Sequence, residues 1–148
     1  MEIYEETRDS YLISSDPALL DLELVHKWLS LEALWALGRS MEVVTESVAN
    51  SLSLGIYDAQ KQQVAFCRLV TDRATFAWLC DVFVEKSARG QGLGTWLAQS
   101  SVNWLASMGV YRMILATRDA HDVYRKAGFQ PLPEPRNWMI VDTRTNAN

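Results

Sequence analysis

The sequence predicts an α/β fold, and two observations support that class. Segments with strand-like and helical patterns alternate along the 148 residues. An apolar strand-like stretch ends at Val84, and Gly90, Gly92 and Gly94 then lead directly into a helical pattern. This layout leaves backbone N–H groups free at the start of a helix, and such groups suit an anionic phosphate. The predicted order of elements is β-α-α-β-β-β-α-β-α-β.

The first third of the chain predicts one short strand and two helices. Residues 1–10 show no clear period and predict a loose start, whereas residues 11–13 predict a strand. A helix is predicted from Asp16-Pro17, because Asp caps helices and Pro suits the first helical position. Its apolar residues recur at helical spacing: Leu20, Leu24, Trp28 and Leu31. Ser40 predicts the cap of the second helix.

The middle of the chain predicts an antiparallel meander followed by a long helix. Residues 52–56 alternate between apolar and small side chains, and strand patterns also cover residues 64–70 and 75–84. Short polar turns separate these segments, so consecutive strands are expected to pair antiparallel. After the glycines, apolar residues recur with a period of 3.6 from Leu93, and Gly109 is expected to end this helix.

The C-terminal part predicts two strands on either side of a short helix. Residues 113–116 predict a buried strand, and residues 119–127 predict a helix that Gly128 ends. Three prolines follow, and residues 138–141 predict the last strand. Residues 143–148 are polar and predict a frayed end.

The composition is that of a globular protein. The chain is 49% hydrophobic and 22% charged, and residues 1–148 contain no linker or repeat, so one domain is expected. The net charge of −4 argues against nucleic acid as a partner. The acidic start lacks the apolar core of a leader, and no apolar run could span a membrane, which predicts a cytoplasmic protein without a membrane partner. Cys67 and Cys80 predict buried thiols, and with only two histidines the chain carries no metal signature.

The glycine run is compatible with three kinds of loop. A nucleotide P-loop requires a lysine after the last glycine, and no lysine follows Gly94. A dinucleotide fingerprint requires Gly-x-Gly-x-x-Gly in a βαβ unit, whereas this run reads Gly-x-Gly-x-Gly after a meander. A tight turn without a ligand is the third alternative.

Two motifs make the chain resemble the GNAT superfamily, the Gcn5-related N-acetyltransferases. Residues 89–94, Arg-Gly-Gln-Gly-Leu-Gly, match the family's Arg/Gln-x-x-Gly-x-Gly/Ala signature. Residues 124–129, Tyr-Arg-Lys-Ala-Gly-Phe, resemble its Tyr-x-x-x-Gly-Phe segment. The resemblance implies a mixed, mostly antiparallel sheet of six to seven strands with helices on both faces.

The resemblance also implies a site for acetyl-CoA as cosubstrate, without a metal. The strand that ends at Val84 is expected to splay from its neighbour, so that the backbone of Val82, Phe83 and Val84 binds the pantetheine arm. The pyrophosphate is expected on the amides of seven residues: Arg89, Gly90, Gln91, Gly92, Leu93, Gly94 and Thr95. Alternating glycines allow phosphates a close approach, and the helix dipole favours their charge. The side chain of Arg89 either assists there or is a solvated loop charge.

One position departs from the family's pattern. Many relatives carry Asn seven residues before the tyrosine, where this chain has Thr117. Either the hydroxyl of Thr117 replaces one contact to pantetheine, or Asp119 takes that contact over. Asp119 is alternatively the cap of the following helix.

Acetyl transfer to an amine needs a group that protonates the departing thiolate. Tyr124 matches the residue that acts as general acid in similar enzymes, and a phenol with a pKa of about 10 is protonated at neutral pH. Alternatively, Tyr124 packs beside Phe129 and only bonds the CoA sulfur or a backbone group. Asp81 lies alone in an apolar strand, where it either serves the amine substrate as binder or base or pairs with an arginine. His121 shares a helix face with Tyr124 and is either part of a proton path or a surface residue.

The acceptor site is expected at the first helices and the end of the sheet. Its candidate lining residues are Trp28, Trp35, Arg39 and Trp138, with core packing as the alternative for each tryptophan. The implied reaction is direct acetyl transfer to a primary amine of a small molecule or peptide. The alternatives are an acyl-CoA sensor without catalysis and an interaction domain without a ligand. A homodimer is compatible with the resemblance.

Overall fold

The computed structural model describes residues 1–144, so that residues 145–148 of the predicted frayed end lie outside the described chain. In that range six strands form one sheet: β1 Glu5–Arg8, β2 Tyr11–Ser14, β3 Leu52–Tyr57, β4 Gln63–Thr71, β5 Ala77–Val84 and β6 Met113–Ile114. Four α-helices accompany them: α1 Leu22–Leu31, α2 Met41–Ala49, α3 Leu93–Ser107 and α4 His121–Lys126. The strands lie in the order β1 to β6, antiparallel except for the parallel pair β5–β6. This mixed, mostly antiparallel sheet confirms the predicted fold class.

Helices cover both faces of the sheet, as predicted. On the face that we call the α3 face, Leu97 of α3 and Leu54 of β3 are fully buried in the larger core. On the opposite face, the α1–α2 face, Trp28 of α1 packs with Phe83 of β5 in a second core. Apolar surface removed from water contributes roughly 25 cal/mol per Å², so these two cores hold the helices on the sheet.

A β-bulge in β5 changes the face toward which its residues point. The register shifts between Phe66 and Arg68 of β4, so that Asp81 and Val82 of β5 together oppose one residue. Asp81 has a left-handed backbone, with φ at 52°. Leu79 before the bulge and Val82, the second residue of the bulge, both pack in the core on the α3 face. The extra residue at the bulge therefore turns Asp81 toward the α1–α2 face.

The two cysteines lie on opposite faces of the sheet, and both are free in the described chain. Cys67 is buried in the core on the α3 face, whereas Cys80 lies near Arg68 and Asp81 on the α1–α2 face. Burial raises the pKa of Cys67 to about 12 and that of Cys80 to about 11. Both groups are therefore thiols at neutral pH. Cys67 is buried as predicted, and Cys80 is half-buried.

The N-terminal region differs from the prediction in two places. Residues 5–8 are not loose, because β1 pairs with β2 along its whole length. The helix predicted from Asp16 is a separate 3₁₀ turn, Pro17–Leu19, in which the Asp16 carboxylate accepts from the amide of Ala18. α1 begins only at Leu22, where the carboxylate of Asp21 accepts from the amide of Leu24 at 3.0 Å. Two aspartates thus cap two successive turns.

The C-terminal region also differs from the prediction. The expected buried strand at residues 113–116 is reduced to the two half-buried residues of β6. The expected strand at residues 138–141 is wrong, since these residues pair with no strand within the described chain. The predicted cap at Asp119 is wrong as well. Ala120 occupies that position without a side-chain bond, and the hydroxyl of Thr117 accepts from the Ala120 amide at 3.0 Å.

Candidate functional site

The glycine loop joins β5 to α3 through two left-handed glycines. A short 3₁₀ turn, Lys86–Ala88, follows β5, and Gly92 then occupies the N-cap of the 15-residue α3. Gly90 and Gly92 have φ angles of 83° and 77°, a region that side chains with a Cβ atom rarely adopt. A Cβ atom at either glycine would meet nothing within 4 Å. The left-handed backbone, and not a lack of room for a side chain, therefore accounts for glycine at these two positions.

The loop presents a row of unpaired amides. The six N–H groups of residues 90–95 donate to no protein acceptor in the part of the chain that the structure describes. The next N–H group along the chain, that of Trp96, donates to the Gly92 carbonyl at 3.0 Å. Because the positive end of the α3 dipole lies at the same place, this row suits an anion such as a phosphate.

The side chains of the loop brace it and leave the amides free. The guanidinium of Arg89 donates through Nε to the Val84 carbonyl at 2.9 Å and lies over the ring of Phe83 at 5.4 Å. The amide side chain of Gln91 accepts from the hydroxyl of Tyr11 at 3.1 Å. The hydroxyl of Thr95 donates to the Val123 carbonyl at 3.2 Å and so ties the start of α3 to α4. Arg89 is consequently more than a solvated loop charge.

β5 and β6 separate beside this loop. They pair only at Ala77–Met113 and Trp78–Ile114. Beyond that point, residues 79–84 of β5 have a strand partner on the β4 side alone, as far as residues 1–144 are concerned. This separation includes Val82, Phe83 and Val84, as the family resemblance implies. An extended ligand has access to backbone groups at this open edge.

Tyr124 lies on α4 at the margin of the core on the α3 face. Its ring meets that of Phe129 edge-on, with 6.0 Å between the centroids. Burial raises the pKa of Tyr124 to about 12, and the nearby Cys67 adds a smaller effect in the same direction. The phenol consequently keeps its proton well above neutral pH. It also borders a cavity of about 790 Å³ between α3, β6 and α4.

Asp81 is fully engaged with partners on the α1–α2 face. Its carboxylate accepts from Arg39 at 2.8 Å, from Arg68 at 2.9 Å and from the indole of Trp35 at 3.0 Å. Only 2% of its side chain is exposed. A carboxylate so deep in the protein requires such partners. The structure therefore shows the arginine-paired alternative that the sequence left open.

The four candidate acceptor residues do not meet at one place. Trp35 and Arg39 come together at Asp81, on the connection between α1 and α2. Trp28 is buried and stacks on Phe83 at 5.3 Å, which is the core alternative for this residue. Trp138 lies elsewhere, at the rim of the 790 Å³ cavity. Of the four, the structure brings only Trp35 and Arg39 together.

The loop between β6 and α4 carries three further predicted residues. Thr117 lines the same cavity as Tyr124, whereas Asp119 is exposed. His121, the first residue of α4, lines this cavity too but is mainly exposed, as the surface alternative proposes. No hydrogen bond ties His121 to Tyr124 in the described chain.

Sequence reasoning missed Glu6, which holds the start of α3 from the far edge of the sheet. Its carboxylate accepts from the indole of Trp96 at 3.0 Å, from the hydroxyl of Ser100 at 3.2 Å and from the hydroxyl of Tyr4. Ser100 is fully buried although it is polar. The one signal in the sequence was Ser100, a polar residue on the apolar stripe of α3, because a buried hydroxyl requires a hydrogen-bond partner.

Two negative findings apply to residues 1–144. No group of three or more His, Cys, Asp or Glu side chains there could hold a metal ion. No helix in this range is both long and apolar enough to cross a membrane.

Comparisons with known proteins agree with this geometry. The sequence matches the Acetyltransferase (GNAT) family over residues 3–129. A curated protein of Gibberella zeae that is named as an acetyltransferase is 29% identical over 111 residues. The chain spans only 63% of that relative's length, and the match includes 63% of this chain. A solved structure from Xanthomonas campestris pv. campestris, described as a GNAT-family acetyltransferase, is 35% identical, with a TM-score of 0.84 over 92% of this chain and 95% of that one. Glucosamine-6-phosphate N-acetyltransferase from Arabidopsis thaliana shares the fold at 16% identity, with a TM-score of 0.60 over 97% of this chain and all of that one. The chain belongs to the GNAT family of acetyltransferases.

Proposed function

We propose that this chain transfers the acetyl group of acetyl-CoA directly to a primary amine of a small molecule or peptide. The observation that carries the proposal is the row of six unpaired amides at residues 90–95, next to the open edge of β5. A row of amides at a helix N-terminus fits a pyrophosphate, and an unpaired strand edge fits the amide groups of a pantetheine arm. The two features lie in sequence order along one continuous path.

The residues present fit acetyl-CoA in three places. The amides of residues 90–95 would hold the pyrophosphate, and the backbone of residues 82–84 would bond the pantetheine arm. The amide of Arg89, which was also expected there, donates to the Lys86 carbonyl. The hydroxyl of Thr117 already accepts from the Ala120 amide, which leaves its own proton free to donate to a pantetheine carbonyl. When bound, acetyl-CoA would supply an activated thioester.

Tyr124 acts as the general acid in this proposal. Its phenol stays protonated at neutral pH because burial raises its pKa to about 12. It can therefore donate a proton to the departing sulfur as the amine nitrogen bonds the acetyl carbon and the bond between that carbon and the sulfur breaks. A backbone N–H near Phe83 stabilises the negative charge that develops on the carbonyl oxygen. The amine nitrogen releases one proton to solvent as it becomes an amide, and the phenol regains one proton from solvent, so that a neutral amine reacts without net gain or loss of protons.

Asp81 positions the acceptor side in this proposal. Both of its carboxylate oxygens already accept hydrogen bonds, so it orients Trp35 and Arg39 at the α1–α2 connection. Its two guanidinium partners leave this region with one excess positive charge. We assign the role of base to no side chain.

The proposal is tested with a panel of amines and purified protein, with release of free CoA thiol as the readout. We expect Tyr124→Phe to keep acetyl-CoA binding and to lower turnover at least tenfold, on the order of the contribution of one general acid. Tyr57→Phe is the matched control, because Tyr57 loses the same hydroxyl, which makes no hydrogen bond in the described chain, and does not line the cavity beside Tyr124. Unchanged turnover in Tyr124→Phe would exclude the general acid.

Binding of acetyl-CoA is measured separately, as the increase in unfolding free energy with ligand. Saturating acetyl-CoA should stabilise the chain by about 3–4 kcal/mol at 100 to 1,000 times its dissociation constant. Stabilisation without thiol release for any amine would favour the sensor over the enzyme. No stabilisation at all would favour an interaction domain without a ligand.

A further inference from the structure

The guanidinium of Arg39 has one edge without a protein partner. Its Nη1 atom donates to the carboxylate of Asp81 at 2.8 Å, whereas Nε and Nη2 donate to no protein acceptor within residues 1–144. In that range the only buried side-chain nitrogen or oxygen atoms without a partner belong to Ser53 and Tyr57, so Nε and Nη2 of Arg39 are open to solvent. These two atoms form the side of the guanidinium on which two N–H groups point in parallel. Arg39 therefore offers a bidentate site to an anion.

The two guanidinium groups at Asp81 share a single negative charge. The same carboxylate oxygen, Oδ2, accepts from Nη1 of Arg39 and from Nε of Arg68, and in the described part of the chain neither arginine pairs with another carboxylate. The side chains of Arg39 and Arg68 are only 22% and 12% exposed, so water screens their charge incompletely. A ligand with one negative charge would neutralise the excess.

The neighbours of Arg39 order this free edge before any ligand binds. The N–H of Arg39 donates to the Ala36 carbonyl at 3.0 Å, and Nε2 of His26 donates to the Arg39 carbonyl at 3.1 Å. Asp81 holds the end of the side chain, and it also holds the indole N–H of the half-exposed Trp35 at 3.0 Å. A side chain that is already ordered loses little entropy when it binds a ligand.

The free edge lies on the acceptor side of the proposed reaction. Asp81 precedes Phe83 by two residues of β5, a distance of about 6–7 Å along a strand. The backbone of Phe83 is where we propose that the acetyl carbonyl lies, and the inference rests on that proposed function for the position of the amine. An anion on Arg39 is consequently separated from the reacting amine by several bonds.

We propose that the amine substrate carries a carboxylate several bonds from its amino group, and that Nε and Nη2 of Arg39 bind this carboxylate. The two oxygens of a carboxylate match the two parallel N–H groups, and its single charge equals the excess at Asp81. A phosphate monoester carries about −1.5 to −2 charges at neutral pH and exceeds that balance. The substrate class is therefore that of the ω-amino carboxylates.

The first test compares straight-chain ω-amino carboxylates of increasing length with their carboxamides, which lack only the charge. Release of free CoA thiol gives kcat/KM for each pair. We expect the wild type to prefer the carboxylate at least tenfold at the best length, as a charge-assisted pair of hydrogen bonds would produce. An aminoalkylphosphonate of the same length should react more slowly. Equal kcat/KM for acid and amide at every length, or a faster phosphonate, would overturn the proposal.

The second test uses Arg39→Lys, which keeps a positive charge beside Asp81 but lacks the two parallel N–H groups. We expect the ratio of kcat/KM for the carboxylate to that for the carboxamide to fall at least tenfold. Arg144→Lys is the matched control, because Arg144 belongs to an exposed ion pair with Asp142, and it should keep the full ratio. If Arg39→Lys lowered kcat/KM equally for both substrates, Arg39 would only support the fold and the proposal would be refuted.

The third test measures binding without turnover and separates this proposal from acetyl transfer itself. Titration calorimetry with ε-aminocaproate, in the presence of free CoA, should show binding to the wild type that weakens at least tenfold in Arg39→Lys. Such binding without thiol release for any amine would count against acetyl transfer and leave the carboxylate site intact. Absence of binding to the wild type, or equal affinity in Arg39→Lys, would refute the carboxylate site even if other amines release thiol.

Discussion

At the scale of single residues, Asp81 combines backbone strain with buried charge. Its left-handed backbone lies at a β-bulge, and its carboxylate holds two guanidinium groups and an indole. A bulge adds one residue to one face of a strand. The charged side chain of Asp81 therefore lies on the α1–α2 face of β5 and not on the apolar α3 face. The arrangement ties the α1–α2 connection to the middle of the sheet.

We predict that Asp81→Asn destabilises the chain by about 3 kcal/mol, because it leaves two mostly buried guanidinium groups without their counter-charge. Asn keeps the shape and readily adopts the left-handed backbone, so the substitution isolates the charge. The free energy of unfolding in urea measures the effect. Asp122→Asn is the control, since it breaks the exposed pair with Arg125 and should cost less than about 0.5 kcal/mol. Equal losses in the two variants would contradict the buried pair.

At the scale of elements, helix α3 has one left-handed glycine before its first turn and another after its last turn. Gly92 before α3 and Gly109 after it have φ angles of 77° and 82°, and a Cβ atom on either would meet nothing within 4 Å. The conformational cost of a side chain is therefore similar at both ends of the helix. Only the N-terminal glycine lies where we propose the pyrophosphate.

We predict that Gly92→Ala and Gly109→Ala each lower the free energy of unfolding by about 1–2 kcal/mol, the cost of a left-handed residue that is not glycine. Gly92→Ala should in addition weaken acetyl-CoA binding at least tenfold, because its methyl group projects beside the amide row. Calorimetric titration with acetyl-CoA measures this difference. Equal affinities of the two variants for acetyl-CoA would contradict binding of the pyrophosphate at this loop.

Elements whose signal is local could be predicted from the sequence. The periodicity of α3 and the cap at Ser40 need only neighbouring residues, and the structure confirms both. β1 was missed because the exposed edge segment Glu-Glu-Thr-Arg has no apolar alternation. The strand expected at residues 138–141 has the right composition, but pairing is a long-range property that composition does not determine.

The residues of the candidate site likewise divide into those that a local motif predicts and those that depend on long-range contacts. The glycine loop and Tyr124 belong to contiguous motifs, and the structure places both beside the open part of the sheet. The partners of Asp81 could not be predicted, since Arg39 is 42 residues away and the bulge reverses the alternation of faces. Trp138 was assigned to the acceptor side, and the structure places it at the cavity that Tyr124 lines, apart from Trp35 and Arg39.

At the scale of the whole molecule, the first strand fixes the helix that carries the amide row. Glu6 of β1 bonds Trp96 and Ser100 of α3 across about 90 residues of sequence. Arg8 of the same strand lies over the ring of Trp96 at 4.7 Å. Tyr11 of β2 reaches the loop itself through Gln91. The β1–β2 hairpin thus sets the position of the proposed pyrophosphate site from the edge of the sheet.

We predict that Glu6→Gln destabilises the chain by about 1–2 kcal/mol at pH 7, since hydrogen bonds to a charged acceptor become hydrogen bonds to a neutral one. Burial by itself would raise the pKa of Glu6, but hydrogen bonds from Tyr4, Trp96 and Ser100 hold that pKa below its usual value. A carboxyl group with a lowered pKa in the folded state stabilises above its unfolded pKa, and this stabilisation disappears as the pH falls through the folded pKa. The difference between wild type and Glu6→Gln should therefore shrink from pH 7 to pH 3. Urea unfolding at both pH values measures it, with Glu2→Gln at the exposed N-terminus as the control. A difference that is the same at both pH values would mean that Glu6 contributes by packing and not by its charge.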